Sequence, residues 1–312
     1  MTWDRRARKP FLRLGRRRLG TLLAVALGTR RARAEDEPQL VDDLRNLRLL
    51  DLTEGGRRFV LVTPKYLEPK QALPLAILLH GLGETTNERL GAYAWVEKYG
   101  LGSAWQRLKR APIERTSRRG EWTDARLPEV NAELAARPFR GMALACPFMP
   151  NPRTPADLDG YARWIGEGLL PRVRRETQVS DLASRTYLCG VSLGGYVSLE
   201  VLARLPKVFG AWAGVQTAIG TFAAPGYADR IARGWQADGG PADRPTLLLT
   251  STLDHWKASS EALAAAFRAK GLPVTYRVVP GPHDQPWLRE AGTIEALLWL
   301  DRIGYGAAAP PR

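Results

Sequence analysis

The sequence predicts a three-layer α/β/α sandwich around a mostly parallel, doubly wound sheet. Three observations predict it. From about residue 47, strand and helix signals alternate with no internal repeat. Pro74–His80 and Gly141–Pro147 are continuous apolar runs, as strands covered on both faces require. Thr186-Tyr187-Leu188-Cys189, a β-branched and apolar run, then leads through Gly190-Val191-Ser192-Leu193-Gly194 into a helical pattern, the signature of a tight strand-to-helix turn. At 312 residues, 45% apolar and 25% charged, the chain is long enough for one large soluble α/β domain.

The elements follow in order. Arg57–Pro64 reads as a strand after a Gly55-Gly56 turn, with Leu47–Thr53 as its hairpin partner. Leu158, Tyr161, Ile165 and Leu169 set a helical period across Asp157–Glu176. Val197, Leu199, Val201, Leu202 and Leu205 give the helix after Ser192 its apolar residues. Ala211–Val215 and Thr246–Thr252 are strands, and Val274–Val279 is the last one. Between these two, Leu263, Ala266 and Phe267 mark a helix face that Gly271 closes. Pro286 opens a final helix with Ile294, Leu297 and Leu298 on its core face. Two excursions break the alternation. Residues 91–140 carry Trp95, Trp105 and Trp122 with a basic cluster that reads as a solvated loop. Residues 220–244 are rich in Gly, Ala and Pro. Both are candidates for a lid or substrate rim.

The formal charge is +14, but residues 1–34 hold ten Arg and one Lys against Asp4, so most of the excess lies there. The body of the chain therefore points to no nucleic-acid partner. In that head, Arg16-Arg17-Arg18 precedes the apolar stretch Leu19–Gly28, and Ala32-Arg33-Ala34 follows. This pattern resembles a twin-arginine export signal cleaved before Glu35, which implies a periplasmic or secreted protein. Arg30, Arg31 and Arg33 after the apolar core count against it. The competing readings of residues 1–34 are a disordered basic tail and a mis-assigned start, with the protein then cytoplasmic. Residues 35–312 are expected to form a single domain. The apolar run is too short for stable membrane insertion. Cys146 and Cys189 fall in predicted strands that flank Leu75–Leu79, too far apart to join, so both are expected as buried free thiols.

A serine hydroxyl is a poor nucleophile at neutral pH and needs a base plus a group that orients the base. Gly190 and Gly194 suit Ser192 to an exposed turn above the sheet. Only three histidines are available. His283, in Pro280-Gly281-Pro282-His283-Asp284, follows the last strand at the carboxyl edge, where catalytic groups of parallel sheets gather. Asp254 ends its strand at the same edge, although it could instead cap the helix starting near Trp256. His255 is expected to project elsewhere and to be structural. Asp284 is poorly placed to hold the His283 ring. His80 ends its strand in His80-Gly81-Leu82-Gly83, where it would order a loop whose Leu82 N–H joins that of Leu193 as an oxyanion pair. Trp256 and Trp287, next to the acid and base, are candidate pocket walls, with core packing as the competing role. No His/Cys/carboxylate spacing of a metal site and no phosphate-binding glycine loop is present, so neither metal nor cofactor is expected.

Leu79-His80-Gly81, Gly190-Val191-Ser192-Leu193-Gly194-Gly195-Tyr196 and Gly281-Pro282-His283-Asp284 with Trp287 resemble the esterase D-like branch of the α/β-hydrolase superfamily. That branch holds relatives of feruloyl and acetyl-xylan esterases and polyhydroxybutyrate depolymerases. The resemblance spans roughly residues 47–303. It implies an α/β-hydrolase sandwich and hydrolysis of a small or polymeric carboxylic ester through an acyl-serine. The other readings are a peptidase of the prolyl-oligopeptidase type, an acyltransferase using the same triad, and a non-catalytic binding protein on the same fold.

Overall fold

In the computed structural model, β1 (Leu47–Glu54) and β2 (Arg57–Pro64) form the expected hairpin, turned by Gly55 and Gly56 at positive φ. The structure describes residues 44–66, 72–237 and 244–305. The expected export segment, residues 1–34, lies outside the described residues. Six further strands complete one sheet: β3 (Leu75–Leu79), β4 (Ala143–Pro147), β5 (Thr186–Val191), β6 (Ala211–Val215), β7 (Thr246–Leu253) and β8 (Val274–Pro282). Their order is β1-β2-β4-β3-β5-β6-β7-β8. The first two pairings, β1 with β2 and β2 with β4, are antiparallel, and all the others are parallel.

The four strands β3 to β6 are buried along their whole length, as expected for strands covered on both faces. Leu75, Ile77 and Leu79 share a core with the helices Pro155–Trp164, Leu193–Arg204, Ala224–Ala237 and Lys257–Ala269. Ala76 and Leu78 are also buried and, by the two-residue period of a strand, point to the opposite face. The helices Leu101–Lys109 and Thr293–Tyr305 pack against each other, the latter also against β6 and β7. The single helix expected over 157–176 is interrupted by a wider turn at Ile165–Leu169. Pro171 just beyond it has no N–H to donate to the preceding turn.

Because β3, β5, β7 and β8 run parallel, His80, Ser192, Asp254 and His283 all leave the sheet at one edge. Cys146 and Cys189 lie on β4 and β5 with β3 between them, and both are buried free thiols. Burial pushes each thiol well above its ordinary pKa. Among the described residues, no helix is long and apolar enough to cross a membrane.

The 91–140 excursion differs from a solvated lid. Trp95, Trp105 and Trp122 are 1–2% exposed. Arg107 pairs with Glu290 at 3.2 Å, Arg126 with Glu295 at 2.7 Å and Arg119 with Asp284 at 2.7 Å. The arginines thus bind the excursion to the segment that follows His283. Of these three, only Arg119 belongs to the basic cluster read as solvated, and its partner lies 165 residues away. Lys109, Arg110, Arg115 and Arg118 are exposed, as that reading expects.

Candidate active site

Ser192 sits between β5 and the Leu193–Arg204 helix with φ 54° and ψ −116°. This is a costly backbone conformation for a residue with a β-carbon. Its surroundings hold it there. Its N–H donates to Val215 O at 2.9 Å, and its own carbonyl accepts from Ala218 N at 3.0 Å and Tyr196 N at 3.2 Å. Two glycines are required by close approach. A β-carbon on Gly190 would stand 2.1 Å from Gly194 O, and one on Gly194 would stand 2.5 Å from His80 O.

The structure brings the three expected side chains into one hydrogen-bonded chain. His283 Nε2 lies 3.1 Å from Ser192 Oγ, and His283 Nδ1 lies 2.8 Å from Asp254 Oδ1. The Asp254 side chain is fully buried. Its Oδ1 also accepts from Trp256 N at 3.0 Å, and its Oδ2 accepts from Thr250 Oγ1 at 2.6 Å. Asp254 is thus the ring partner and not the cap weighed from the sequence: the helix that follows starts at Lys257 with Trp256 at its N-cap and no side-chain capping bond. Burial pushes its pKa up, but hydrogen bonds from His283, Thr250 and Trp256 outweigh this and hold it below the ordinary carboxylate range. A carboxylate on Nδ1 fixes the tautomer that leaves Nε2 free to accept the serine proton.

The turn that presents His283 is clamped by residues sequence reasoning missed. Gln216 Nε2 donates to Pro282 O at 3.0 Å and Ser251 Oγ donates to the same oxygen at 3.1 Å. Gln216 itself has φ 48°. Trp287 belongs to this support and not to the pocket wall. It is fully buried, and its Nε1 donates to Pro280 O at 3.0 Å. Its indole also fills the space beside Gly281 and Gly292. Asp284 turns away from the His283 ring, accepting from Trp287 N at 2.9 Å and pairing with Arg119.

On the other side, Leu82–Glu84 forms a short turn after β3. Tyr99, from the 91–140 excursion, accepts from Gly81 N at 2.9 Å and donates to Glu84 Oε2 at 2.6 Å. Gln285 Nε2 donates to Glu84 Oε1 at 3.3 Å. The turn carrying Leu82 is thereby tied to the turn carrying His283. Tyr99 and Gln285 fall in no motif, and Glu84 ends the run His80-Gly81-Leu82-Gly83-Glu84 with no role legible from the sequence.

His80 is fully buried, and its neutral form is fixed by its partners. Gly81 O can only accept, so Nδ1 donates to it at 2.9 Å; Met149 N can only donate, so Nε2 accepts from it at 2.9 Å. Burial lowers its pKa from 6.5 to about 4. The unfolded chain thus binds this proton first as pH falls. The stability His80 contributes is complete above pH 6.5 and is lost as pH falls toward 4, by about 3 kcal/mol in total. A His80→Gln variant should be less stable at pH 7 but show a flatter stability–pH curve between those limits. Urea titrations at intervals across the range measure it; equal slopes in the two proteins would count against this role.

A cavity of about 680 Å³ opens beside Ser192 and His283. Leu82 and Leu193, Tyr196, Ile219 and Phe222 make it largely apolar, and Trp256 also lines it. Of the two excursions, 220–244 supplies its rim through Phe222, Ala223 and Tyr227, while no residue of 91–140 lines it. Leu82 and Phe222 are 56% and 93% exposed. His255 also lines it, contrary to the expectation that it projects elsewhere. Its ring stands 4.7 Å from that of His283 and 5.0 Å from Trp256. The bend after β7 swings it back over the site, which alternation along an extended strand does not anticipate.

No protein-family model matches the chain, and no curated protein matches it by sequence. Solved structures do match. A ferulic acid esterase aligns at 16% identity with a TM-score of 0.60, covering 82% of this chain and 98% of that one. S-formylglutathione hydrolase from Staphylococcus aureus aligns at 12% identity and TM-score 0.57, with the same coverages of 82% and 98%. The feruloyl esterase module from Clostridium thermocellum aligns at 13% identity and TM-score 0.58, over 85% and 89%. The chain has the α/β-hydrolase fold that its motifs led us to expect.

Proposed function

We propose that the chain is a serine carboxylic-ester hydrolase acting through an acyl-serine intermediate. The observation that carries this reading is the continuous chain from Ser192 Oγ through His283 to buried Asp254, opening on an apolar cavity. Ser192 Oγ attacks the ester carbonyl as its proton passes to His283 Nε2. Asp254 stabilises the imidazolium that forms. Backbone N–H groups of Leu82 and Leu193 hold the oxyanion; Leu193 N–H belongs to the first turn of its helix and has no partner within it. His283 then protonates the leaving alcohol and activates water for release of the acid. The substrate is an ester, small or polymeric, with an apolar group in the cavity beside Ile219 and Phe222.

An alkyl fluorophosphonate should label the purified protein once, at Ser192, and p-nitrophenyl esters should be hydrolysed. Absence of both from folded protein would reject the reading in favour of a binding role.

Tyr99 is a positioning residue in this scheme, because its hydroxyl holds the His80–Gly81 peptide, one unit before the peptide that carries the Leu82 N–H. Tyr99→Phe should lower kcat by about 10- to 100-fold with KM little changed, since loss of one oxyanion donor costs about 100- to 1,000-fold. A fall in stability with kcat unchanged would assign Tyr99 to packing alone.

A further inference from the structure

The sequence offers no metal-ligand spacing, yet folding assembles one. Asp254, His255 and His283 present one ligand atom each, all within 4.8 Å of one another. Asp254 Oδ1 lies 2.8 Å from His283 Nδ1 and 4.0 Å from His255 Nδ1. Ligand atoms on a tetrahedral zinc ion, at bond lengths of about 2.0–2.2 Å, stand roughly 3.3–3.5 Å apart. The two observed separations bracket that spacing. Small rotations of the imidazoles would bring three ligands of ordinary zinc chemistry onto one ion, leaving a fourth position open to solvent. The His255 side chain is 64% exposed at the cavity wall, so an ion has a direct approach.

We propose that this cluster is a binding site for a divalent transition metal, zinc in particular, and that occupancy switches the site off. The ion takes the place of the proton between His283 Nδ1 and Asp254 Oδ1. That proton leaves to solvent, and His283, fixed on the metal through Nδ1, loses the carboxylate contact that supports its basicity. The blockade of turnover rests on the triad reading; the binding itself does not.

The rest of the chain makes the test clean. The chain has three histidines and two cysteines. His80 is fully buried with both ring nitrogens engaged, and both cysteines are fully buried. His255 and His283 are therefore the only imidazoles open to solvent, and no thiol competes with them. The probe is ZnCl₂, titrated by calorimetry in a non-chelating buffer into full-length protein carrying no affinity tag. The wild type should bind one ion at micromolar concentration, and His255→Gln should bind at least ten-fold more weakly. Each protein's turnover of a p-nitrophenyl ester, relative to its own metal-free rate, should fall with the same midpoint and return with EDTA. Equal affinity in the wild type and His255→Gln, or no binding to the wild type below 1 mM, overturns the site. Binding that depends on His255 while ester turnover continues overturns the switch. Protein with no metal-free turnover fails as an esterase, and calorimetry still decides the site.

Discussion

Ser192→Ala is expected to lower p-nitrophenyl ester turnover by about 10⁵- to 10⁶-fold, the loss that follows when a triad nucleophile is removed. Fluorophosphonate labelling should vanish with it. Stability should not follow activity down. Residue 192 occupies φ 54°, ψ −116°, a region where a side chain is strained and glycine is not. Ser192→Gly should therefore be equally inactive yet more stable than Ser192→Ala, by about 1 kcal/mol or more. Thermal or denaturant unfolding of the pair measures the difference. Retained turnover in Ser192→Ala, corrected for contaminating esterase, would remove Ser192 from the mechanism.

Gly190→Ala is expected to have the largest effect on folding. The added β-carbon would stand 2.1 Å from Gly194 O and 2.3 Å from Gly194 C, both backbone atoms of the turn that presents Ser192. Neither β5 nor the following helix can yield without disrupting buried packing on both sides. A loss of at least about 4 kcal/mol is expected, read as failure to accumulate soluble protein or as a sharply lowered Tm. Gly226→Ala is the control. It lies in the Ala224–Ala237 helix with nothing within 4 Å of the added carbon, and should gain about 0.5–1 kcal/mol. A Gly190→Ala protein as stable as the wild type would mean that the turn is far more pliable than its contacts indicate.

Much of the fold was legible because strands buried on both faces leave a plain record. The apolar runs at Pro74–His80, Gly141–Pro147 and Ala211–Val215 lie within a residue or two of β3, β4 and β6. The site was legible in part for a different reason. Glycines that tolerate no β-carbon and a scarcity of histidines left few choices for the groups at the sheet's carboxyl edge. What stayed hidden depends on contacts between distant segments. Arg119 read as part of a solvated cluster because its partner Asp284 comes 165 residues later. Tyr99 carries no motif, and its role exists only once Gly81 and Glu84 fold against it. Trp287 lies close to His283 in sequence, yet its ring packs inward behind the turn, because a helix starting at Gln285 reverses the chain there. His255 was misjudged because a bend, not a strand, sets its direction.

The link from Glu84 to Gln285 spans 201 residues and joins the first loop of the parallel sheet to the last. It bears on the order in which the site can come together. β8, with the base beyond it, is the final strand in sequence and lies at the sheet's edge. A chain made only as far as β7 would hold Ser192 but lack both the proposed base, His283, and Gln285, which braces Glu84. In the proposed mechanism, chemistry would wait until β8 has joined the sheet and the Thr293–Tyr305 helix has docked, and a chain cut before β8 would carry the serine without its base.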